Sequence, residues 1–210
     1  MSKKFIFLAV FFLGLVVVFI GVLYYLDTLN KDDKEDVMRK RSITVSTVKP
    51  FTFTNQMGKT ITDKDLIGKV ALVEFFFTTC TTICPTMNTK MKSIYEQYKN
   101  EPNFLIVSHT SDPKTDNVPQ LKRYADSIGA DAKNWWFLTG AKDSLYIAAR
   151  KSYALDDQNA VVQDPEMDFI HTQLFALVNK KGEIKKKVYD SKNIAEMDEL
   201  IIDIKNALAE

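Results

Sequence analysis

From residue 5 to residue 26 the chain runs through 22 positions of which only Gly14 and Gly21 are not hydrophobic and none is charged. A helix of that length crosses about 30 Å of hydrocarbon at roughly 1.5 Å per residue, so the run predicts one transmembrane helix. Lys3 and Lys4 precede it. The positive-inside bias then leaves residues 1–4 in the cytoplasm and puts the chain beyond residue 26 on the outer face of the cytoplasmic membrane. Tyr24 and Tyr25 stand near the end of the run as interfacial aromatics. A cleaved signal peptide would have an apolar core of only about 7–15 residues and a small-residue cleavage site. Residues 22–26 supply no such site, and no cysteine follows to carry a lipid. Residues 27–49 read as a charged linker. The stretch NKDDKEDVMRKRS is polar and without period, and the cluster Arg39-Lys40-Arg41 sits in it as a solvated segment.

Beyond the linker the hydrophobic pattern alternates between two periods. Phe51-Thr52-Phe53-Thr54 alternates apolar and polar and leads into the turn signal Asn55-Gln56-Met57-Gly58, predicting an N-terminal hairpin. Residues 69–77, KVALVEFFF, form a near-continuous apolar run that suits a strand buried on both faces. Pro85 then opens a helix with Met87, Met91, Ile94, Tyr95 and Tyr98 on one face, proline being well placed in a first turn. Further strands are predicted at 104–108 and 135–138, and further helices at 117–128 and 144–153. Residues 173–179 and 183–189 flank Lys180-Lys181-Gly182 as a hairpin. A last helix starts near Asn193, with Glu196 as a capping-box partner and Ile194, Met197, Leu200, Ile201, Ile204 and Leu208 inward. Strand–helix alternation ending in a hairpin and a helix is a three-layer α/β pattern. With a cysteine pair after the first core strand, it is the order of a thioredoxin-like fold covering residues 50–210.

Composition narrows the chemistry. The 28 Lys+Arg and 27 Asp+Glu nearly cancel, so nucleic acid is not an expected partner. Two cysteines allow one internal bridge at most, which excludes a disulfide-dense scaffold. The seven glycines do not cluster into a phosphate loop, and no Ser/His/Asp motif is present.

Both cysteines fall in Thr78-Thr79-Cys80-Thr81-Thr82-Ile83-Cys84-Pro85, where a core strand ends and a helix begins. Sites collect at that end of an open α/β sheet. The partial positive charge of a helix N-terminus is expected to lower a thiol's pKa there. A bridge across so short a loop removes little unfolded-state entropy, so stapling explains the pair poorly. Three residues between the cysteines, rather than two, let both sulfurs face one point, and Cu(I) is soft enough to prefer them. An imidazole would complete a three-coordinate site, and the chain holds two histidines, His109 and His171.

These residues resemble a known family. FFFTTCTTICP, the dipeptide Asp112-Pro113, WFLTG at 136–140 and DFIHTQLFALVNKKGEI around His171 are similar to the Sco/SenC family of membrane-anchored copper chaperones, across roughly residue 50 to the C-terminus. The resemblance implies a thioredoxin-like fold and delivery of Cu(I) to an acceptor subunit of a respiratory oxidase, and leaves open whether Cu(II) is also held. Carried over by position, the copper ligands fall on Cys80, Cys84 and His171. Two positions depart from the family pattern: Thr81 stands where the family has proline after the first cysteine, and Thr110-Ser111-Asp112-Pro113 stands for SVDP.

The alternative reading is an enzyme, a thiol-disulfide reductase that keeps the acceptor's cysteines reduced with Cys80 and Cys84 as its redox pair. The absence of WCxxC argues against a generic oxidoreductase, and Pro165 is far from a thioredoxin cis-proline position. A binuclear copper centre would want histidine at Asn88, and a peroxidase would want PxxxTxxC; neither is present. His109 reads as a structural residue and Met87 and Met91 as core. Asp156, Asp157, Asp164, Glu166 and Asp168 form an acidic loop that either solvates the surface or orients His171. Glu74, inside the apolar strand, has no role legible in the sequence.

Overall fold

The structure, a computed structural model, describes residues 14–15, 18–22, 46–81, 83–156 and 172–210. The chain divides into two units, Met1–Ser42 and Ile43–Glu210. In the first, residues 14–15 and 18–22 are helical. No helix among the described residues is long and apolar enough to cross a membrane, and the rest of the expected anchor, 5–26, lies outside them.

The second unit is built on one eight-stranded sheet: β1 (Ser46–Thr47), β2 (Thr52–Asn55), β3 (Thr60–Thr62), β4 (Val70–Phe76), β5 (Phe104–Thr110), β6 (Trp135–Thr139), β7 (Leu174–Val178) and β8 (Glu183–Asp190). Their spatial order is β1-β8-β7-β4-β5-β6-β2-β3. Strands β4, β5 and β6 run parallel, β7 and β8 antiparallel, and the β2–β3 hairpin extends the sheet beyond β6. Every residue of β4 and β5 is buried, as the apolar runs require of central strands covered on both faces.

Helices make the outer layers. Helices α1 (Cys84–Tyr98), α2 (Val118–Ile128) and α4 (Ile194–Ala209) cover one face, where Met87, Met91, Leu121, Ala125, Leu200 and Ile204 pack on Leu72, Phe76, Ile106 and Phe137. The short α3 (Lys142–Ile147) and a π-helical turn, Ala148–Tyr153, cover the other with Leu145, Ala149 and Tyr153 against Val73, Phe75 and Val107. The three-layer, thioredoxin-like arrangement expected from the pattern is present.

Four local expectations change. The helix expected over 144–153 begins at Lys142 and widens into a π-helix from Ala148, ending at Ala154 in the left-handed region with φ 52°. The widening swings Tyr153 fully into the core. The linker expected to extend to residue 49 ends earlier, since Ser46 and Thr47 pair with Ile184 and Glu183 of β8. Ile194 is 75 % exposed rather than inward, because it stands in the first turn of α4 ahead of the contact with the sheet. Finally, Asn193 caps α4 by accepting from the Ala195 and Glu196 amides, but the Glu196 carboxylate accepts from the Asp190 amide and the Asn193 side chain. It ties the helix to the end of β8 in place of a closed capping box. The β7–β8 turn behaves as expected: Gly182 takes φ 75°, and a Cβ there would lie 2.9 Å from Ile67 Cδ1.

Candidate functional site

Strand β4 delivers the chain to the carboxyl end of the sheet, and α1 leaves from the same point. Between them the Cys80 amide donates to the Phe77 carbonyl at 3.2 Å, which folds the turn. The Thr86 and Met87 amides reach Ile83 O, starting the helix with Pro85 in its first turn, where a missing N–H costs nothing. This geometry brings the cysteines together: the Cys84 amide donates to Cys80 Sγ at 3.4 Å, and no disulfide joins them.

The two thiols are not equivalent. Cys80 is half-buried, whereas Cys84 faces the core beside Phe76 and is 4 % exposed. Burial pushes the Cys84 thiol up to about 12, the hydrogen bond and charge of Cys80 and the charge of Glu74 adding to the effect. The expectation of a helix-lowered pKa is therefore overturned at Cys84. The dipole of a helix end contributes a few tenths to about 1 kcal/mol, less than the desolvation of a buried thiolate.

Beneath the pair lies a buried polar row. Glu74 is fully buried; Ser108 Oγ donates to its Oε1 at 2.6 Å, and Trp135 Nε1 donates to Ser108 Oγ at 3.0 Å. Its Oε2 has no hydrogen-bond partner. Desolvation raises the Glu74 carboxyl to about 7, against the Ser108 hydrogen bond. Tyr124 packs on Phe76 and Phe137 and receives a hydrogen bond from the Asn88 amide; burial, then the charges of Glu74 and the two cysteines, push its phenol upward.

A second polar knot holds the turn from the side. The buried Asp116 carboxylate accepts from the Thr78 amide at 3.1 Å, from Thr78 Oγ1, and from Thr110 Oγ1 at 2.6 Å. Gln120 Nε2 donates to Thr78 Oγ1, and the Asp112 amide to Thr110 Oγ1. The sequence does not mark Asp116 as part of the cysteine turn, since its partner Thr78 there is 38 residues away. Its one local distinction is a place just before the helix-capping Asn117.

The remaining candidates separate clearly. His109 follows Ser108 on β5 and so points to the opposite face of the sheet from Glu74. There it stacks on Phe75 at 5.0 Å and meets the rings of Phe51, Phe53 and Tyr153, with both ring nitrogens buried and without hydrogen bonds. Desolvation lowers it to about 3. It is a core residue, separated from the cysteines by the sheet. Met87 and Met91 are core residues as well, at 1 % and 0 % exposure. Asp156 is engaged by Arg150 Nε at 2.6 Å. His171, Asp157, Asp164, Glu166, Pro165 and Asp168 lie outside the described residues. The chain returns at Thr172, two residues before β7, whose antiparallel pairing with β4 puts its first residue at the same end of the sheet as the cysteine turn. Among the described residues no three of His, Cys, Asp and Glu group as a metal site.

Residues 39–208 match the family model SCO1/SenC. A SCO1 protein homolog of Bacillus subtilis is 37 % identical over 163 residues, which cover 76 % of this chain and 82 % of that protein. The solved structure of BsSco, described as a member of the Sco family of cytochrome c oxidase assembly proteins with a disulfide switch, superposes with TM-score 0.65 at 35 % identity, covering 80 % of this chain and 97 % of the other. Bradyrhizobium japonicum ScoI with copper bound gives TM-score 0.60 at 25 % identity, covering 77 % and 99 %.

Proposed function

This chain belongs to the SCO1/SenC family, and from that premise we propose that it is a copper carrier that delivers Cu(I) to the binuclear copper site of a cytochrome oxidase. The observation that carries the reading is the cysteine turn itself, two unbridged thiols with the Cys84 amide 3.4 Å from Cys80 Sγ at the carboxyl end of β4. Such a pair offers two soft donors to one ion. His171, assigned by resemblance, supplies the third ligand, and the return of the chain at Thr172 beside the end of β4 supports that assignment. The copper-bound relative supports the cargo, and the relative named for oxidase assembly supports the acceptor.

The donor set suits transfer. Cu(I) held by two thiolates and one imidazole leaves room for an acceptor thiolate to add before a ligand departs. Cys80, the more exposed sulfur, meets the acceptor first, and Cys84 gives up its proton as the metal enters. Residues 5–26 anchor the carrier as a single span with residues 1–4 inside and the domain on the outer face. The uncharged apolar run over 5–26 with Lys3 and Lys4 ahead of it supports that topology. Cu(II) is a second oxidation state of the same cargo.

A thiol-disulfide reductase is the second reading, and the unequal pair favours it. An accessible Cys80 beside a buried, protonated Cys84 is the arrangement of an attacking and a resolving thiol. Copper titration of the reduced full-length protein, wild type against His171→Ala, Cys80→Ser and Cys84→Ser, decides. One tightly held Cu(I) per chain, weakened by all three substitutions, supports the carrier. Unchanged binding in His171→Ala removes the three-ligand site, and disulfide exchange without copper binding leaves the reductase.

A further inference from the structure

A turn that presents two sulfurs to one point must be held in place, and the hold comes from outside the turn. Within it, the Cys80 amide reaches Phe77 and the Cys84 amide reaches Cys80 Sγ. Thr78 ties this segment to the next strand. Its backbone amide and hydroxyl both end on Asp116, which is fully buried in the loop between β5 and α2. The same carboxylate takes the Thr110 hydroxyl at the end of β5, and that hydroxyl receives the Asp112 amide. The Ser111 amide and hydroxyl both reach Phe76 O, at 2.8 and 3.0 Å. The result is a cross-brace from the end of β5 to the residues that carry Cys80.

We propose that Asp116 is the positioning residue of the Cys80–Cys84 pair, holding Cys80 over the start of α1 through Thr78. The proposal rests on the reading of that pair as the functional site. The hydrogen bonds of the brace run in fixed directions. Asp116 only accepts, Thr78 and Thr110 each donate one hydroxyl proton to it, and those hydroxyls accept in turn from Gln120 and the Asp112 amide. Every member has one role, so an amide at 116 cannot serve all three donors. Removing the Thr78 hydroxyl leaves its backbone amide as the tie to Asp116. A loosened turn spreads Cys80 over more positions and lowers the effective concentration of one sulfur near the other. Disulfide closure and two-thiolate binding of copper then weaken together.

The test uses the full-length protein with Thr78→Val, Thr78→Ser, Asp116→Asn and Asp116→Ala, each checked for folding by circular dichroism. The first readout is the equilibrium in which the protein dithiol and glutathione disulfide give the protein disulfide and two molecules of glutathione. The second is Cu(I) affinity by competition with a chelator. Thr78→Val and Asp116→Asn are expected to lower both constants by about tenfold, and Thr78→Ser to stay within about twofold of wild type. Wild-type constants in folded Thr78→Val and Asp116→Asn overturn the proposal, as does an equal loss in Thr78→Ser. If Asp116→Ala fails to fold, the two milder variants still decide. If the wild type takes no copper, the copper reading fails alone, since the glutathione equilibrium still tests the brace.

Discussion

Glu74 and His109 stand one step apart in the parallel register of β4 and β5, Glu74 opposite Ser108 and His109 opposite Phe75, and they face opposite sides of the sheet. Each is fully buried, and each is shifted by desolvation toward its neutral form, Glu74 to about 7 from 4.5 and His109 to about 3 from 6.5. Their effects on stability have opposite signs. The unfolded chain ionises Glu74 above 4.5 while the folded protein does not, so this residue costs stability as pH rises from 4.5 to about 7. The unfolded chain protonates His109 below 6.5 while the folded protein does not, so this residue costs stability as pH falls from 6.5 toward 3.

Between those limits the two slopes largely cancel in the wild type. Denaturant unfolding of His109→Phe is expected to show stability falling by about 2–3 kcal/mol as pH rises from 4.5 to 6.5, and Glu74→Gln the reverse trend of similar size. His109→Phe should also fold well at neutral pH, because it removes two ring nitrogens that make no hydrogen bond. Parallel pH profiles in the two variants would contradict the assignment.

Alkylation should discriminate the thiols. Cys84 is 4 % exposed with its thiol held near 12, so iodoacetamide at neutral pH is expected to label Cys80 at least about tenfold faster. Peptide mass spectrometry over a time course measures the ratio. Equal labelling would mean that the Cys84 side chain is not sheltered by α1 and Phe76.

Copper uptake should release protons. Because Cys84 enters the reaction as a thiol, Cu(I) affinity is expected to rise by at least about tenfold per pH unit between about pH 6 and 8. Chelator competition at several pH values gives the slope. A flat profile would remove Cys84 from the ligand set.

Met91 tests the division between core and site. It is fully buried on α1, so Met91→Ala is expected to cost about 2–5 kcal/mol, while Met91→Leu costs less than about 1.5 kcal/mol. Neither should alter copper stoichiometry. Loss of copper from the folded Met91→Leu variant would make the thioether a ligand.

The elements and their order are written in the chain, because hydrophobic periodicity is a local signal. The unbroken apolar runs of β4 and β5 could only be satisfied between two covered faces, and Pro85 and Asn193 mark helix starts through their own backbone and side-chain chemistry. The closeness of Cys80 and Cys84 is local too, since so short a segment leaves them little freedom to part. Properties that depend on distant neighbours came only with the fold. His109 read as a structural residue from the sequence and is one, but only the pleat shows which face it takes and the ring of aromatics it meets there. Cys84 looked activated by its helix, and the packing of Phe76 and the carboxyl of Glu74 reversed that. Asp116 carried little signal, because although Thr110 is only six residues away, the amide and hydroxyl of Thr78 come beside it only through the parallel pairing of β4 and β5. Desolvation and hydrogen bonding act through space, so they follow the fold and not the order of residues.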